Sequence, residues 1–438
     1  MKCAKDTIWI VVEKLLKLVV GVVLSGLIAR HLGPDEFGRL NYLISLLVIF
    51  IALTTVGLNR IVVREAASEV SNDPSYLGGL IGSALTIRYI GGIIVFSGVI
   101  VSIWLTDQID IVCYVLVLTA LFFTPIDVLE QVLQGRGAFK VTSLARLLSF
   151  IISSIFRVYC VYLELPIIYF IALVLLEYLL SAIFICYIYY HKSKNWQPKK
   201  AINLSKVSSL FKESWPEMFA GLGAIMFMKS DMIMLYWLSD SVEAGVYAAA
   251  SRISESWYFL PMAIVTATFP VLVKERDGGN IRSYMNLLKT TTCLLFYASI
   301  MVAIVVTCLG SNVIELIYGS EYLLSGKVLL VHTWAGVFFS LGIISGSWLV
   351  VEKKLKYNLY RNLTGLLVNC GLNLVLIPTY GAVGAAYAMV AGMLFAYFLF
   401  DYFFSPMGEI AKIKRDSFSL ILFMDVVRVI IKKSVDVK

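Results

Sequence analysis

The chain has 438 residues, of which 59% are hydrophobic and 15% charged, with a net charge of +8 and a mean hydropathy of +0.85. A soluble domain carries about 25% charged residues, so this composition excludes an ordinary globular protein and indicates a polytopic membrane protein. The cations fall mostly between apolar runs, which makes the positive balance an orientation signal and excludes a nucleic-acid partner.

Roughly twenty apolar residues are needed to cross about 30 Å of hydrocarbon. On that scale the spans fall at 7–29, 40–62, 79–104, 109–133, 139–163 and 166–190, then at 214–238, 244–272, 284–309, 326–350, 357–377 and 381–404. The first apolar run is too long for a signal-peptide core and is expected to be retained as span one. Between spans one and two lies the polar stretch Ala29–Arg39, where Gly33-Pro34 is expected to break the helix and form a turn, because proline lacks an N–H and disfavours a helical residue before it.

The expected fold is all-α, about twelve transmembrane helices in two pseudo-symmetric six-helix bundles around a central cavity. Residues 1–190 form the N-terminal bundle and 191–213 a basic cytoplasmic linker. Residues 214–404 form the C-terminal bundle, and 405–438 a cytoplasmic tail in which Ser417–Ile431 is too short and charged to cross and suits an interfacial helix. The halves echo each other: Leu32–Gly38 with Tyr42 against Leu238–Gly245 with Tyr247, Arg146 against Arg361, Pro166 against Pro378. Such a repeat implies a ligand site between the halves. Loop charge alternates. Arg60 and Arg64, Arg136 and Lys140, the run Lys192–Lys212, Lys274–Arg282 and Lys353–Lys356 mark one side, whereas Thr106–Gln108, Glu164–Pro166 and Ser239–Ser241 are poor in cations. The bias places both termini in the cytoplasm.

Ionisable residues deep in a span are costly and usually face protein or a water-filled cavity. On span five Thr142, Arg146, Ser149, Ser153 and Arg157 share one helical face, and Arg146 and Arg157 stand about 16 Å apart along the axis. With Arg88 in span three they are candidate cavity cations, because guanidinium binds phosphate oxygens bidentately and stays charged when desolvated. The competing reading pairs each arginine with an acid such as Glu177. Ser149, Ser153, Asn362 and Asn369 are candidate cavity-lining polar groups, the asparagines equally suited to interhelical packing, which is the role expected of Asn373 next to Pro378. Glu13 and Lys17, at i and i+4, either pair or serve coupling. Lys229 and Asp231, two apart, require partners on other helices. Arg252 and Glu255 neutralise each other or gate. Asp127 and Glu130, beside Arg136, read as ordinary solvated acids.

Other chemistry is not encoded. The seven cysteines lack C-x-x-C spacing, which argues against a disulfide framework or zinc site, and His31, His191 and His332 are scattered without metal geometry. No P-loop, serine elbow or H-E-x-x-H occurs, so neither ATP hydrolysis nor another enzymatic activity is expected, and no cofactor.

A set of motifs in order along the chain supplies the remaining signal: Glu13-Lys14, Ala29–Gly38, Thr55-Val56-Gly57-Leu58-Asn59, Val63-Arg64-Glu65, Gly245–Ala250, Trp257-Tyr258, Phe269-Pro270, Tyr318–Tyr322 and Asn373–Pro378 with Gly381 and Gly384–Ala386. This series resembles the polysaccharide-transport branch of the multidrug/oligosaccharidyl-lipid/polysaccharide (MOP) superfamily, which includes Wzx-type O-antigen flippases. The resemblance implies alternating access, with a polyprenyl-diphosphate-linked oligosaccharide carried from the cytoplasmic to the periplasmic leaflet of the inner membrane. It also implies coupling to an ion gradient. Membrane lipids and glycan-assembly enzymes are the expected partners. The alternatives are a multidrug exporter for organic cations, which needs a carboxylate-rich cavity, a membrane enzyme of glycan assembly, which the short outer loops disfavour, and a scaffold for such enzymes.

Overall fold

The computed structural model describes residues 2–68, 73–105, 111–192, 204–425 and 428. Residues 193–203 of the basic linker, the cation-poor loop at 106–110 and the end of the tail lie outside the described residues. Those described are almost entirely helical, from α1 (Lys2–Thr55) to α16 (Gly408–Ser417), with no strand among them. This is a multi-pass membrane protein. Among the described residues nine helices are long and apolar enough to cross a bilayer, or ten when the bent pair Ser320–His332 and Ala335–Val351 is taken as one span. Two of these, Glu13–Thr55 and Lys356–Phe403, have 43 and 48 residues, about twice the length that a bilayer requires. Each is interrupted at one glycine, Gly33 (φ 70°) or Gly381 (φ 55°). Counting each as two crossings gives about twelve.

The first of these interruptions narrows the turn expected over residues 29–39 to a single residue. The helix continues to Gly33, turns there through a conformation open to glycine, and resumes with Pro34 at the first helical position, where its missing N–H costs nothing. The second interruption is braced. The backbone N–H of Ala382 donates to Glu243 Oε2 at 2.6 Å, capping the last span, and a Cβ on Gly381 would stand 2.5 Å from that oxygen.

The chain divides into two compact units, Met1–Lys229 and Ser230–Lys438, with the division inside α8 (Leu204–Leu238). Both repeat an element order in which the second and fourth spans are broken. In the first unit the second span stops at Thr55, Val56-Gly57 takes positive φ, and α2 (Leu58–Ala67) starts afresh. Its fourth span is split by two 3-10 turns, Ala120–Phe122 and Thr124–Ile126, into α4 (Ile111–Thr119) and α5 (Asp127–Gly135). In the second unit α9 (Ser241–Ser256) gives way to α10 (Phe259–Asp277) at Trp257-Tyr258, and α12 (Leu323–His332) bends 45° into α13 (Ala335–Val351). The remaining helices of the first unit are α3 (Pro74–Leu105), α6 (Phe139–Tyr162) and α7 (Ile167–Lys192). Those of the second unit are α11 (Ile281–Tyr318), α14 (Lys356–Leu394) and the short α15 (Phe400–Phe403), joined to α14 by the π-helical Phe395–Leu399.

Small residues let the helices approach closely. The run Ala244–Ala250 on α9 is entirely buried, and Ser325 on α12 donates to the Val246 carbonyl at 2.8 Å. An apolar core in the first unit joins α2, α3 and α5, including Leu58, Val62, Leu80 and Val128. This core fixes how α2 and α5 face the polar groups beside it.

Candidate functional site

The breaks in spans two and four turn polar side chains of α2 and α5 toward the start of α6. The result is a cavity of about 470 Å³ in the first unit. It is lined by the cations Arg60, Arg64 and Arg146, by the acids Asp127 and Glu130, and by the amides of Asn59, Gln131 and Gln134.

Arg146 organises this chamber. Its guanidinium lies 3.0 Å from Glu130 Oε1 and 3.3 Å from Glu13, so one cation holds two carboxylates. Glu13 also meets Lys17 at 3.2 Å, and Glu130 accepts from Gln134 at 2.7 Å. Glu13 and Glu130 are each 5% exposed, whereas the Arg146 side chain is 36% exposed and keeps a face toward the cavity. Asn59 joins this cluster to Arg88, since its side-chain oxygen accepts from Arg88 and, at 2.8 Å, from Gln131. Arg88 is 1% exposed and also donates to the Thr124 carbonyl at 3.4 Å. It makes no ion pair among the described residues, and its Nε has no partner. Just outside the membrane-spanning segments, hydrogen bonds from Tyr76 and Arg64 hold the Glu65 carboxyl below the usual carboxylate range. Arg64 is thereby tethered at the chamber's edge.

The rest of the span-five stripe is placed differently. Arg157 bonds Glu177 of α7 at 2.9 Å and does not line the chamber. Ser149 and Ser153 are buried and do not line the chamber: Ser149 bonds the Ala145 carbonyl within α6 at 2.9 Å, and Ser153 bonds the Leu173 carbonyl of α7 at 3.1 Å. Asp127 and Glu130, which spacing alone marks as solvated, are brought into the chamber. No periodicity within one helix reports this, because the turns at 120–126 set their direction.

In the second unit the polar focus is Asp231, 1% exposed on α8. Tyr247 donates to its Oδ2 at 2.6 Å, and Asn369 and Asn373 of α14 donate to its Oδ1 at 2.8 and 2.6 Å. Ser230 in turn bonds Asn369 at 2.9 Å. Every donor is neutral, so Asp231 is a buried carboxylate without a counter-cation among the described residues. The other candidates are more dispersed. Asn362 accepts from Tyr397 at 3.3 Å, Lys229 is half-buried two positions from Asp231, and Arg252 and Glu255 make no ion pair with each other. No group of three or more metal-ligating side chains exists among the described residues.

Residues 3–275 match the family described as "Polysaccharide biosynthesis protein". The chain belongs to this family. It lies in the polysaccharide-transport branch of the MOP superfamily, as the ordered motifs imply, and residues 216–375 also match the MatE family. A relative from Shigella flexneri, named "Putative O-antigen transporter", is 22% identical over 418 residues, covering 88% of this chain and 94% of that protein. Among solved structures, an inward-facing multidrug resistance MATE family transporter of the MOP superfamily aligns with a TM-score of 0.76 at 15% identity, over 92% of this chain and 96% of that one. The lipid II flippase MurJ in an inward closed conformation aligns with a TM-score of 0.68 at 15% identity, over 94% and 91%. At such identities the likeness establishes the fold of this family member, and its function must be argued from the chamber.

Proposed function

We propose that this protein flips a polyprenyl-diphosphate-linked oligosaccharide from the cytoplasmic to the periplasmic leaflet of the inner membrane by alternating access, coupled to an ion gradient. The observation that carries this reading is the chamber of the first unit. Its three arginines offer forked donors for a diphosphate, and its amides and acids offer both donors and acceptors for sugar hydroxyls. The names of the Shigella relative and of MurJ agree with it. Asp231 is the coupling carboxylate in this scheme. A buried acid served only by neutral donors changes its interactions sharply when a proton or cation arrives, and such a change can bias two conformations. The role is transport rather than catalysis.

A second reading, export of organic cations, has support from the three carboxylates Glu13, Asp127 and Glu130 at or beside the chamber. Deleting the gene separates the two. A flippase deletion traps lipid-linked oligosaccharide on the cytoplasmic face while its synthesis continues. Unchanged glycan display together with lost efflux of a cationic dye would overturn the proposal and favour the exporter, and failure to make the oligosaccharide would indicate an enzyme.

A further inference from the structure

The chamber has a neighbour of opposite character. A second cavity of about 180 Å³ in the same unit lies between the end of span two and α8. Its lining includes the apolar Ala52, Met218, Leu222 and Ile225 with Gly57 and Gly221, and the polar Thr55, Asn59, Arg60 and Glu217. Asn59 and Arg60 line both cavities, so the polar chamber and the apolar crevice meet at these two side chains.

Gly57 creates the seam. Its left-handed φ of 69° ends span two, and a Cβ there would stand 2.6 Å from Met218 N and Ser214 O, so the backbone of α8 sits directly against the break. This close approach places Arg60, three residues on, opposite Glu217. The two pair at 3.0 Å while remaining 78% and 42% exposed, and Arg64 pairs likewise with Glu213 at 2.7 Å. A solvated pair of this kind contributes little. An incoming diphosphate, with more charge and more acceptors than one carboxylate, displaces Glu217 from Arg60 at little cost.

We infer that the crevice between span two and α8 holds the first isoprene unit of the cargo's lipid, with Arg60 gripping the diphosphate at the junction and the sugars entering the chamber. This rests on the flippase reading and adds a lipid-recognition site to it. The dimensions agree: an apolar cavity of roughly 150 Å³ takes up benzene, a six-carbon hydrocarbon, so the crevice suits one five-carbon isoprene unit and not a sugar chain. The polarity agrees as well, since an allylic diphosphate lipid turns from apolar to anionic at one bond, and the cavity walls turn from apolar to cationic at Arg60. The site also lies at the end of the unit bearing Arg60, Arg64, Arg136 and Lys140, the side proposed to be cytoplasmic, where cargo is loaded.

The test uses the full-length protein in nanodiscs and farnesyl diphosphate carrying a diazirine on its first isoprene unit. Photolabelling is expected within residues 217–225, competed by a long-chain polyprenyl diphosphate. Gly221 lines the crevice and no atom lies within 4 Å of where its Cβ would stand, so Gly221→Leu and Gly221→Trp extend side chains into that open space. Each should lower labelling about tenfold or more, the scale on which small apolar pockets discriminate. Arg60→Gln should lower labelling by the diphosphate probe but not by the corresponding farnesol probe. Competed labelling elsewhere in the chain would overturn the crevice and leave the flippase reading standing. Equal competition by phosphatidylglycerol would reassign the crevice to ordinary lipid and overturn the proposal. Absence of any competed labelling would sink both readings together.

Discussion

Arg146 holds Glu13 and Glu130 by one guanidinium, and a residue in that position does two things that substitution can separate. It neutralises carboxylates 5% exposed, and it keeps a solvated face toward the chamber. Arg146→Ala should therefore reduce surface glycan display by tenfold or more, since a charge-assisted hydrogen bond is worth about 1.5–3 kcal/mol and at least two are lost. Arg146→Lys keeps the charge but reaches one carboxylate and loses the fork, so display should fall between the two. Arg157→Ala leaves Glu177 without its cation and should also reduce display. Glycan on gels, normalised to the amount of inserted protein, gives the answer, and normal display from both alanine variants would refute a role for the stripe. Asp231 calls for a different readout. Asp231→Asn preserves size and most hydrogen bonding, so the protein should fold. Cargo flipping in proteoliposomes should then proceed at the same rate with or without an imposed proton or sodium gradient; retained gradient dependence would remove Asp231 from coupling. The polar face of span five was legible from its steps of three and four residues. The partners were not, because helical spacing fixes a direction on one helix and says nothing of which acid a neighbouring helix presents.

Among the elements, α16 shows how one buried charge fixes a segment that composition reads as surface. Its residues Ile410, Ala411, Ile413, Lys414 and Ser417 form one buried face. Lys414 and Asp401 are both 0% exposed and pair at 2.5 Å, and Lys414 also donates to the carbonyl of Tyr397 within the π-helical Phe395–Leu399. Lys289 of α11 reinforces the contact, pairing with Asp416 at 2.7 Å and accepting Ser417 through its carbonyl at 3.1 Å. The interfacial stretch expected from sequence, 417–431, begins where this docked helix ends and extends beyond the described residues. Lys414→Met alone strands a buried carboxylate and should cost about 3–5 kcal/mol, whereas Lys414→Met with Asp401→Leu should recover most of that loss, because apolar replacement of a buried pair is often neutral or better. Thermal unfolding of the purified variants measures both. Equal destabilisation by the single and double substitutions would show that the pair itself contributes more than apolar packing can replace.

Across the whole molecule, what was legible follows from what hydropathy measures. The burial of about twenty consecutive apolar residues is a property of composition, so twelve crossings could be counted before any helix was placed. Breaks within a crossing leave composition almost unchanged. Val56-Gly57, Phe123, Trp257-Tyr258 and Thr333-Trp334 interrupt their spans with no polar stretch to announce them, and the first two of these aim the side chains that build the chamber. Orientation is the remaining molecular property that sequence addresses, through the asymmetry of Lys and Arg between alternate loops. If both termini are cytoplasmic, as that asymmetry predicts, a flippase of lipid-linked sugars meets its cargo from the side carrying Arg60, Arg64 and the linker at 191–213. In a cysteine-free background, Asp107→Cys and Asp240→Cys should then react with a membrane-impermeant maleimide added to intact cells from outside. Asn195→Cys, in the linker, should react only in inverted vesicles. The reverse pattern would invert the protein in the membrane. It would place the arginines of α2 and the crevice beside them on the face where cargo is released, and the loading role argued for Arg60 would fail with it.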